Sequence, residues 1–300
     1  MASMTHAPVE REAPVRRRAQ DAPRPGRRGR TRPNVVGALG GWLWLAIIIL
    51  PIYYVVITSL KNQDGFFATN PLAPPANPTF DNYALVLGSD FARYFANSVI
   101  VTVGSVVPTL LVSFMAAYAI VRGRGWFVNW TNRLFLLGLA IPLHATIIPI
   151  YWMITRAHMY DTLLALILPS VAFAIPISVL ILSNFLRDVP NELFESMRLD
   201  GASDWAMMWR LALPLVRPAV VTVGIYDALN VWNGFLFPLI LTQSPETRVL
   251  PLSLWTFQGE FSVNIPAVLA SVVLATLPLL VVYVVARRQL VSGLTAGFSK

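Results

Sequence analysis

Polar side chains recur at helical spacing within one apolar stretch of the sequence. Asp227 is followed three residues later by Asn230 and three further on by Asn233, and this spacing brings them near one face of an α-helix. Tyr226 and Trp232 add aromatic rings beside them. Carboxyl and amide groups can hydrogen-bond to the hydroxyl groups of a sugar, and an aromatic ring can stack on its apolar face. The pattern therefore suggests part of a pathway for a solute rich in hydroxyl groups.

The same residues also fit a contact between helices. Asp227 lies about nine residues, or roughly 14 Å at helical rise, from the start of that stretch. A charge at such a depth in a bilayer costs several kcal/mol unless it faces a cavity or a partner. Asparagine side chains also join neighbouring membrane helices, and Trp232 suits packing better than ligand binding. The pathway and helix-contact hypotheses both stay open.

Patterns typical of nucleotide-binding and common catalytic sites are missing from the sequence. It contains no Gly-Lys-Ser/Thr phosphate loop, no HExxH sequence and no cysteine. His144 is a lone histidine between Pro142 and Pro149, and these prolines predict kinks rather than chemistry. We therefore predict that the chain is not an enzyme and that it binds no metal or cofactor itself.

The composition indicates a protein that crosses the membrane several times. Of 300 residues, 56% are hydrophobic and only 13% are charged, whereas soluble domains carry about 25% charged residues. A membrane-spanning helix needs about 20 mostly apolar residues. Six stretches meet that requirement, and they predict an all-α membrane protein with six transmembrane helices. The predicted spans are residues 35–59, 97–120, 134–155, 163–186, 218–242 and 265–286.

Positive charge predicts the orientation of these spans. With the amino terminus in the cytoplasm, 19 of the 23 Lys and Arg residues fall on the cytoplasmic side, as the positive-inside rule requires. We therefore expect a multi-pass protein of the plasma (inner) membrane with both termini cytoplasmic. Residues 1–34 are rich in Arg and Pro and predict a disordered tail that can touch anionic lipid. The basic charge is concentrated in this tail, so nucleic-acid binding is not expected.

Two short amphipathic helices are predicted between the fourth and fifth spans. The first follows a proline, and Gly201 can end it by adopting a positive φ. Ser203 or Asp204 can cap the second, and Pro214 and Pro218 would then turn the chain into the fifth span. The apolar residues of the first helix are Leu193, Phe194, Met197 and Leu199.

The apolar side chains of the loop 187–217 could rest on lipid or in a groove of a partner protein, and the charge of the loop distinguishes between these two possibilities. A helix resting on lipid usually carries Lys and Arg on its polar face. This loop has five acids against four arginines, so anionic lipid would repel it. A groove on a cytoplasmic partner protein fits better. The acids are Asp188, Glu192, Glu195, Asp200 and Asp204.

Short motifs in this loop carry a resemblance to a known family. Glu195-Ser196-Met197 is followed after three residues by Gly201 and later by Leu213-Pro214, with Asp200-Gly201-Ala202 at the centre. This order resembles the EAA coupling loop of permease subunits of binding-protein-dependent ATP-binding-cassette (ABC) importers. Ser196 and Met197 stand where that family usually has two alanines.

Other segments are similar to the carbohydrate permeases of the maltose-transporter type. They are the Trp-Asn stretch at 232–239, the carboxyl-terminal residues 293–300 and the segment 78–83. Together the similarities extend from about residue 35 to the end of the chain.

The resemblance implies a type I ABC importer permease fold, in which a cytoplasmic coupling helix docks into a separate ATPase. It implies that the chain is the transmembrane permease subunit of an ATP-driven importer of a sugar or oligosaccharide. The expected partners are a second homologous permease, two ATP-binding subunits or domains that use ATP and Mg²⁺, and an extracellular solute-binding protein. The residues implied for coupling are Glu192, Glu195, Asp200, Gly201, Ala202, Leu213 and Pro214.

Two other functions remain open at this stage. A permease of the same class for a non-sugar solute would share the coupling loop but should lack the Trp-Asn stretch. A secondary transporter that needs no ATPase should carry more charges within its spans than Asp227 alone.

Overall fold

The computed structural model describes residues 35–257 and 263–296. All the secondary-structure elements that it assigns in these ranges are helices. The predicted tail 1–34 and the last four residues of the carboxyl-terminal resemblance lie outside the described residues. The α-helices are α1 (Val35–Ser59), α2 (Gln63–Ala68), α3 (Asp81–Gly88), α4 (Phe91–Arg122), α5 (Trp126–Leu139), α6 (Ile147–Arg156), α7 (Leu163–Arg187), α8 (Asn191–Leu199), α9 (Asp204–Met207), α10 (Leu213–Trp232), α11 (Leu236–Leu241), α12 (Leu250–Ser253) and α13 (Ile265–Ala296).

The chain divides into two compact units at residues 47 and 48. In the first unit, the described residues are 35–47, which form the first part of α1. The second unit contains the rest of the chain. All contacts discussed below lie within the second unit.

Five of the described helical segments are long and apolar enough to cross a membrane. Four of them are α1, α4, α7 and α13, and the fifth, Asp204–Trp232, runs from α9 through α10. A sixth span arises if α5 and the segment Leu143–Arg156, which meet at 94°, are counted together. The kink predicted from the prolines in the third span is therefore present, and the helix is broken there. Pro142 lacks an amide hydrogen and disfavours helical backbone in the residue before it, so the chain bends there.

Helices α4 and α7 pack side by side and run in the same direction. Val101 and Leu166, near their starts, belong to one buried apolar cluster, and Phe114 and Leu182, nearer their ends, belong to another. Helix α10 runs in the opposite direction. Val216, near its start, belongs to the cluster of Phe114 and Leu182, and Val231, near its end, packs against the cluster of Val101 and Leu166. We call the end at which α4 and α7 finish the "hairpin end", because the helical hairpin of residues 191–212 follows α7 there. The opposite end is the "loop end".

Asp161 joins two connections at the loop end. It lies between α6 and α7, and its Oδ1 accepts hydrogen bonds from the backbone N–H of Gln243 (2.8 Å) and Ser244 (3.1 Å) and from the hydroxyl of Thr247 (2.6 Å). Burial raises the pKa of Asp161, but the hydrogen bonds from these three residues outweigh burial and lower that pKa to about 2. The segment after α11 is thereby fastened to the start of α7.

One buried polar contact joins α7 to α10. The hydroxyl of Ser178 donates a hydrogen bond of 2.9 Å to Oδ2 of Asp227, and both side chains are buried. Asp227 therefore contacts another helix, as the helix-contact hypothesis expected. Because a buried acceptor without a donor is costly, this bond helps to hold the two helices together.

Replacing Asp161 with Asn should destabilise the protein at neutral pH, because a neutral amide oxygen accepts these hydrogen bonds more weakly than a carboxylate and the –NH₂ would face the N–H of Ser244, which lies 3.3 Å from Oδ2. Asn tolerates the left-handed backbone of Asp161 (φ +60°), so the change isolates the hydrogen bonds. The folded pKa lies below the ordinary 3.8, so the stabilisation is present above about pH 4 and is lost as the pH falls towards 2. The difference in unfolding midpoint between wild type and D161N should shrink over that range. A difference that stays constant with pH would contradict this assignment.

Replacing Ser178 with Ala should lower the free energy of unfolding by about 1–3 kcal/mol, because Asp227 loses a donor while buried. The measurement is equilibrium unfolding of the purified permease in mixed micelles. Ser183 on the same helix is a matched control, because its buried hydroxyl has no hydrogen-bond partner among the described residues. S183A should therefore cause little loss, and equal losses in the two variants would refute the role of Ser178.

Candidate functional site

A compact hairpin projects between α7 and α10. It consists of α8, a bend at Gly201, α9 and a π-helical turn over Met208–Ala212. We call residues 191–212 the hairpin. Ser203 caps α9, since its Oγ accepts a hydrogen bond from the N–H of Ala206 at 3.2 Å. Of the two predicted caps, Ser203 is therefore the one that the structure uses.

The bend after α8 depends on glycine. Gly201 has φ +81°, a left-handed conformation that costs other residues more. Its N–H donates to the carbonyl of Arg198 at 3.0 Å, and the N–H of Ala202 donates to the carbonyl of Met197 at 3.0 Å. This pair of bonds is a Schellman motif. The prediction that Gly201 ends the helix with a positive φ is confirmed.

The two prolines after the hairpin do not end a helix, contrary to the prediction. Helix α10 begins at Leu213 and continues through Pro214 and Pro218 to Trp232. Pro214 has no N–H to bond to the turn before it. The preceding π turn accommodates this, because the N–H of Leu213 reaches the carbonyl of Met208, five residues back. The hairpin therefore leads into α10 without a break in the helix.

The apolar side chains of the hairpin face two ways. Phe194 is buried and Met197 is half-buried in the cluster with α4, α7 and the start of α10. Leu199 is 89% exposed and Trp205 is 60% exposed. The prediction of one apolar face that seeks an outside partner was therefore wrong for Phe194 and Met197. These side chains bury against the helices of the same chain.

The charged residues of the hairpin lie on its outer surface. Glu192, Glu195 and Asp200 are exposed, as is Gly201 at the bend. Arg198 and Asp204 form an ion pair of 2.8 Å across the bend, and its exposure makes its contribution to stability small. Among the other residues implied for coupling, Ala202 and Leu213 are half-buried in the hairpin cluster and Pro214 is exposed.

A cavity of about 340 Å³ opens between α4, α7, α10 and α11. Its volume falls at the lower end of the range of about 300–1,000 Å³ that is usual for small-molecule sites. The wall is mainly apolar, with a few polar groups and several aromatic rings. The polar lining residues are Ser98, Ser170, Tyr226, Asp227 and Asn230, and the phenylalanines are Phe173, Phe235 and Phe237.

The predicted pathway residues divide between this cavity and its surroundings. Tyr226, Asp227 and Asn230 line the cavity. Trp232 reaches it but is mostly buried, and its Nε1–H donates to the carbonyl of Ala275 at 3.2 Å. Asn233 lines a second cavity of about 370 Å³ beside α12 and α13. The predicted single face is therefore interrupted, because α10 ends at Trp232.

Several cavity residues had no local signal in the sequence. Ser170 and Phe173 lie on α7 and meet α10 only through the packing of the two helices. Phe235 and Phe237 follow the break between α10 and α11, within a stretch predicted as one continuous span. Gly234, a small residue at this break, is the sequence signal that could have indicated it. In the structure, a Cβ atom at this position would lie 3.0 Å from the carbonyl oxygen of Val231.

Comparison with known proteins identifies the family. Residues 109–294 match the family model described as "binding-protein-dependent transport system inner membrane component". An ABC transporter permease protein of a Caldicellulosiruptor species is 40% identical over 86% of this chain and 94% of its own length. A diacetylchitobiose uptake system permease of Streptomyces coelicolor is 30% identical over 85% of each chain.

A solved structure supports the same fold. One chain of a bacterial ABC transporter involved in the import of the acidic polysaccharide alginate aligns with a TM-score of 0.75 at 22% identity. The alignment covers 85% of this chain and 95% of that one. The predicted all-α, multi-pass membrane fold of the type I importer class is confirmed. The chain belongs to the family of permease subunits of binding-protein-dependent ABC transporters.

Proposed function

We propose that this chain forms part of the translocation pathway of an ATP-driven importer of a sugar or oligosaccharide. The observation that carries the proposal is the connection between the two candidate sites. The hairpin leads directly into α10, and the far part of α10 carries Tyr226, Asp227 and Asn230 in the wall of the cavity. A displacement of the hairpin therefore acts on a helix that lines the cavity.

The chain works within a larger assembly. It pairs with a second homologous permease, associates with two ATP-binding subunits or domains, and receives solute from an extracellular solute-binding protein. ATP and Mg²⁺ are used by the ATPase, while this chain itself binds no cofactor and catalyses no reaction. Both termini and the hairpin lie in the cytoplasm in this proposal, which the excess of Lys and Arg on that side supports.

The exposed surface of the hairpin is the docking site for the ATPase. Glu192, Glu195 and Asp200 supply charge, and Leu199 and Trp205 supply apolar area for a groove. ATP binding draws the two ATPases together and moves the hairpin, which changes the side of the membrane that the cavity faces. Hydrolysis then resets the transporter.

The composition of the cavity favours a carbohydrate. Tyr226, Phe173 and Phe237 offer rings for the apolar faces of a sugar, and Asp227 and Asn230 offer groups that bond to hydroxyls. The uptake of diacetylchitobiose by the Streptomyces system of the similar permease supports the same class of solute. Trp232 supports the wall by packing edge-on against Phe95 at 5.8 Å.

Replacing Gly201 with Glu should abolish association with the ATPase while membrane insertion continues. The exposed bend would gain a side chain, a charge and an unfavourable backbone conformation at once. Gly125 offers a matched control, because it also has a positive φ (+111°) and open space around it but lies outside the hairpin. Co-purification of the ATPase should be lost in G201E and retained in G125E. Normal co-purification and uptake by G201E would refute the docking site.

Replacing Asn230 with Ala should reduce ATP-driven uptake about fivefold, because one hydrogen bond of about 1 kcal/mol to the solute is lost. Uptake of a panel of labelled oligosaccharides is measured in proteoliposomes with all subunits and saturating solute-binding protein. Asn233 is the control, because its amide also donates to the carbonyl four residues back, at 2.8 Å, yet it lies outside the cavity. Equal effects of N230A and N233A, or uptake without ATP, would contradict the proposal.

A further inference from the structure

A single arginine joins the end of α4 to the start of the hairpin. The guanidinium of Arg122 donates through Nη2 to the carbonyl of Val189 at 3.2 Å and through Nη1 to Oδ1 of Asn191. Its central carbon also lies 3.4 Å from the centroid of the Phe194 ring. These three partners belong to the turn after α7 and the first turns of α8.

The geometry of these contacts requires the shape of arginine as well as its charge. A guanidinium is a planar fork that can bond to two acceptors at once and lie flat on an aromatic ring. Lysine carries the same charge but offers one rotatable ammonium group. The contact therefore fixes the position and the orientation of α8 relative to the end of α4.

Helix α4 leads from this contact to the cavity. Arg122 is its last residue, and Ser98 and Val101 near its other end line the cavity. Close to the cavity, Oγ of Ser98 also accepts the N–H of Leu250 at 2.8 Å. A force on α8 can thus reach the cavity and the loop end through one continuous helix.

We infer that Arg122 is a positioning residue that transmits the movement of the hairpin to α4. This inference rests on the proposed function and adds a second route to the one through α10. Without Arg122, the hairpin still docks with the ATPase and still leads into α10. The apolar cluster still holds α8 against α4, but the guanidinium no longer fixes the orientation of α8, so α4 follows the hairpin less closely and less solute is imported per ATP hydrolysed.

The test uses the complete transporter in proteoliposomes, with the solute-binding protein and a labelled oligosaccharide that the wild type imports. The quantity measured is solute imported per ATP hydrolysed. We expect this ratio to fall about tenfold in R122Q, a size typical of coupling between sites, while the ATPase still co-purifies. R122K should recover part of the ratio, since it keeps the charge and one donor.

Arg124 provides the matched control. It lies two residues beyond Arg122, is exposed, and forms no ion pair within the described part of the chain. R124Q should therefore keep the ratio of the wild type. This control removes the same charge from the same connection without touching the hairpin.

Distinct outcomes would overturn the inference. A merely structural role would lower uptake and ATP hydrolysis in equal proportion and leave their ratio unchanged. Should R122Q fail to assemble, N191A removes one of the three contacts and should lower the ratio by about threefold, within the range for single substitutions that weaken coupling. A wild-type ratio in N191A would refute the inference. A wild-type transporter that imports no carbohydrate would instead refute the proposed function.

Discussion

The burial of the hairpin against the ends of α4, α7 and α10 is the interaction on which the rest of the structure depends. Phe194, Met207 and Met208 are each less than a tenth exposed in this cluster. Burying one large apolar side chain contributes about 1.5–3 kcal/mol, so moving the hairpin independently of the helices would cost several kcal/mol. The hairpin and the helix ends therefore move as one packed body, and only its outer surface remains free for another protein.

This arrangement separates two tasks along the same helices. At the hairpin end, the chain presents acids and apolar side chains on a rigid bend. Towards the other end, α4, α7, α10 and α11 line a cavity. The tie between Asp161 and the segment after α11 fixes the loop end. Under the proposed function, a movement of the hairpin would meet this fixed loop end, and we expect the helices to rearrange around the cavity.

The sequence predicts those parts of the molecule that depend on local pattern. The apolar stretches are visible without a structure because membrane length and hydropathy are properties of a single segment, and the left-handed bend at Gly201 follows from the freedom of glycine. The inward direction of Phe194 could not be predicted, since it depends on where α4 ends. The separation of Asn233 from Asn230 depends on the break after Trp232, which helical periodicity does not reveal. The cavity wall on α7 exists only through tertiary packing.

Accessibility of the cavity in the assembled transporter tests the central claim most directly. This chain contains no cysteine, so a Ser170→Cys substitution places its one cysteine in the cavity wall, and labelling of this chain is followed after the subunits are separated. We predict that a membrane-impermeant maleimide reaches this site from the cytoplasmic side without nucleotide, and from the external side when an ATP analogue holds the ATPases closed. Labelling that is the same from both sides in the two states would show that the hairpin does not drive the cavity, and would contradict the account.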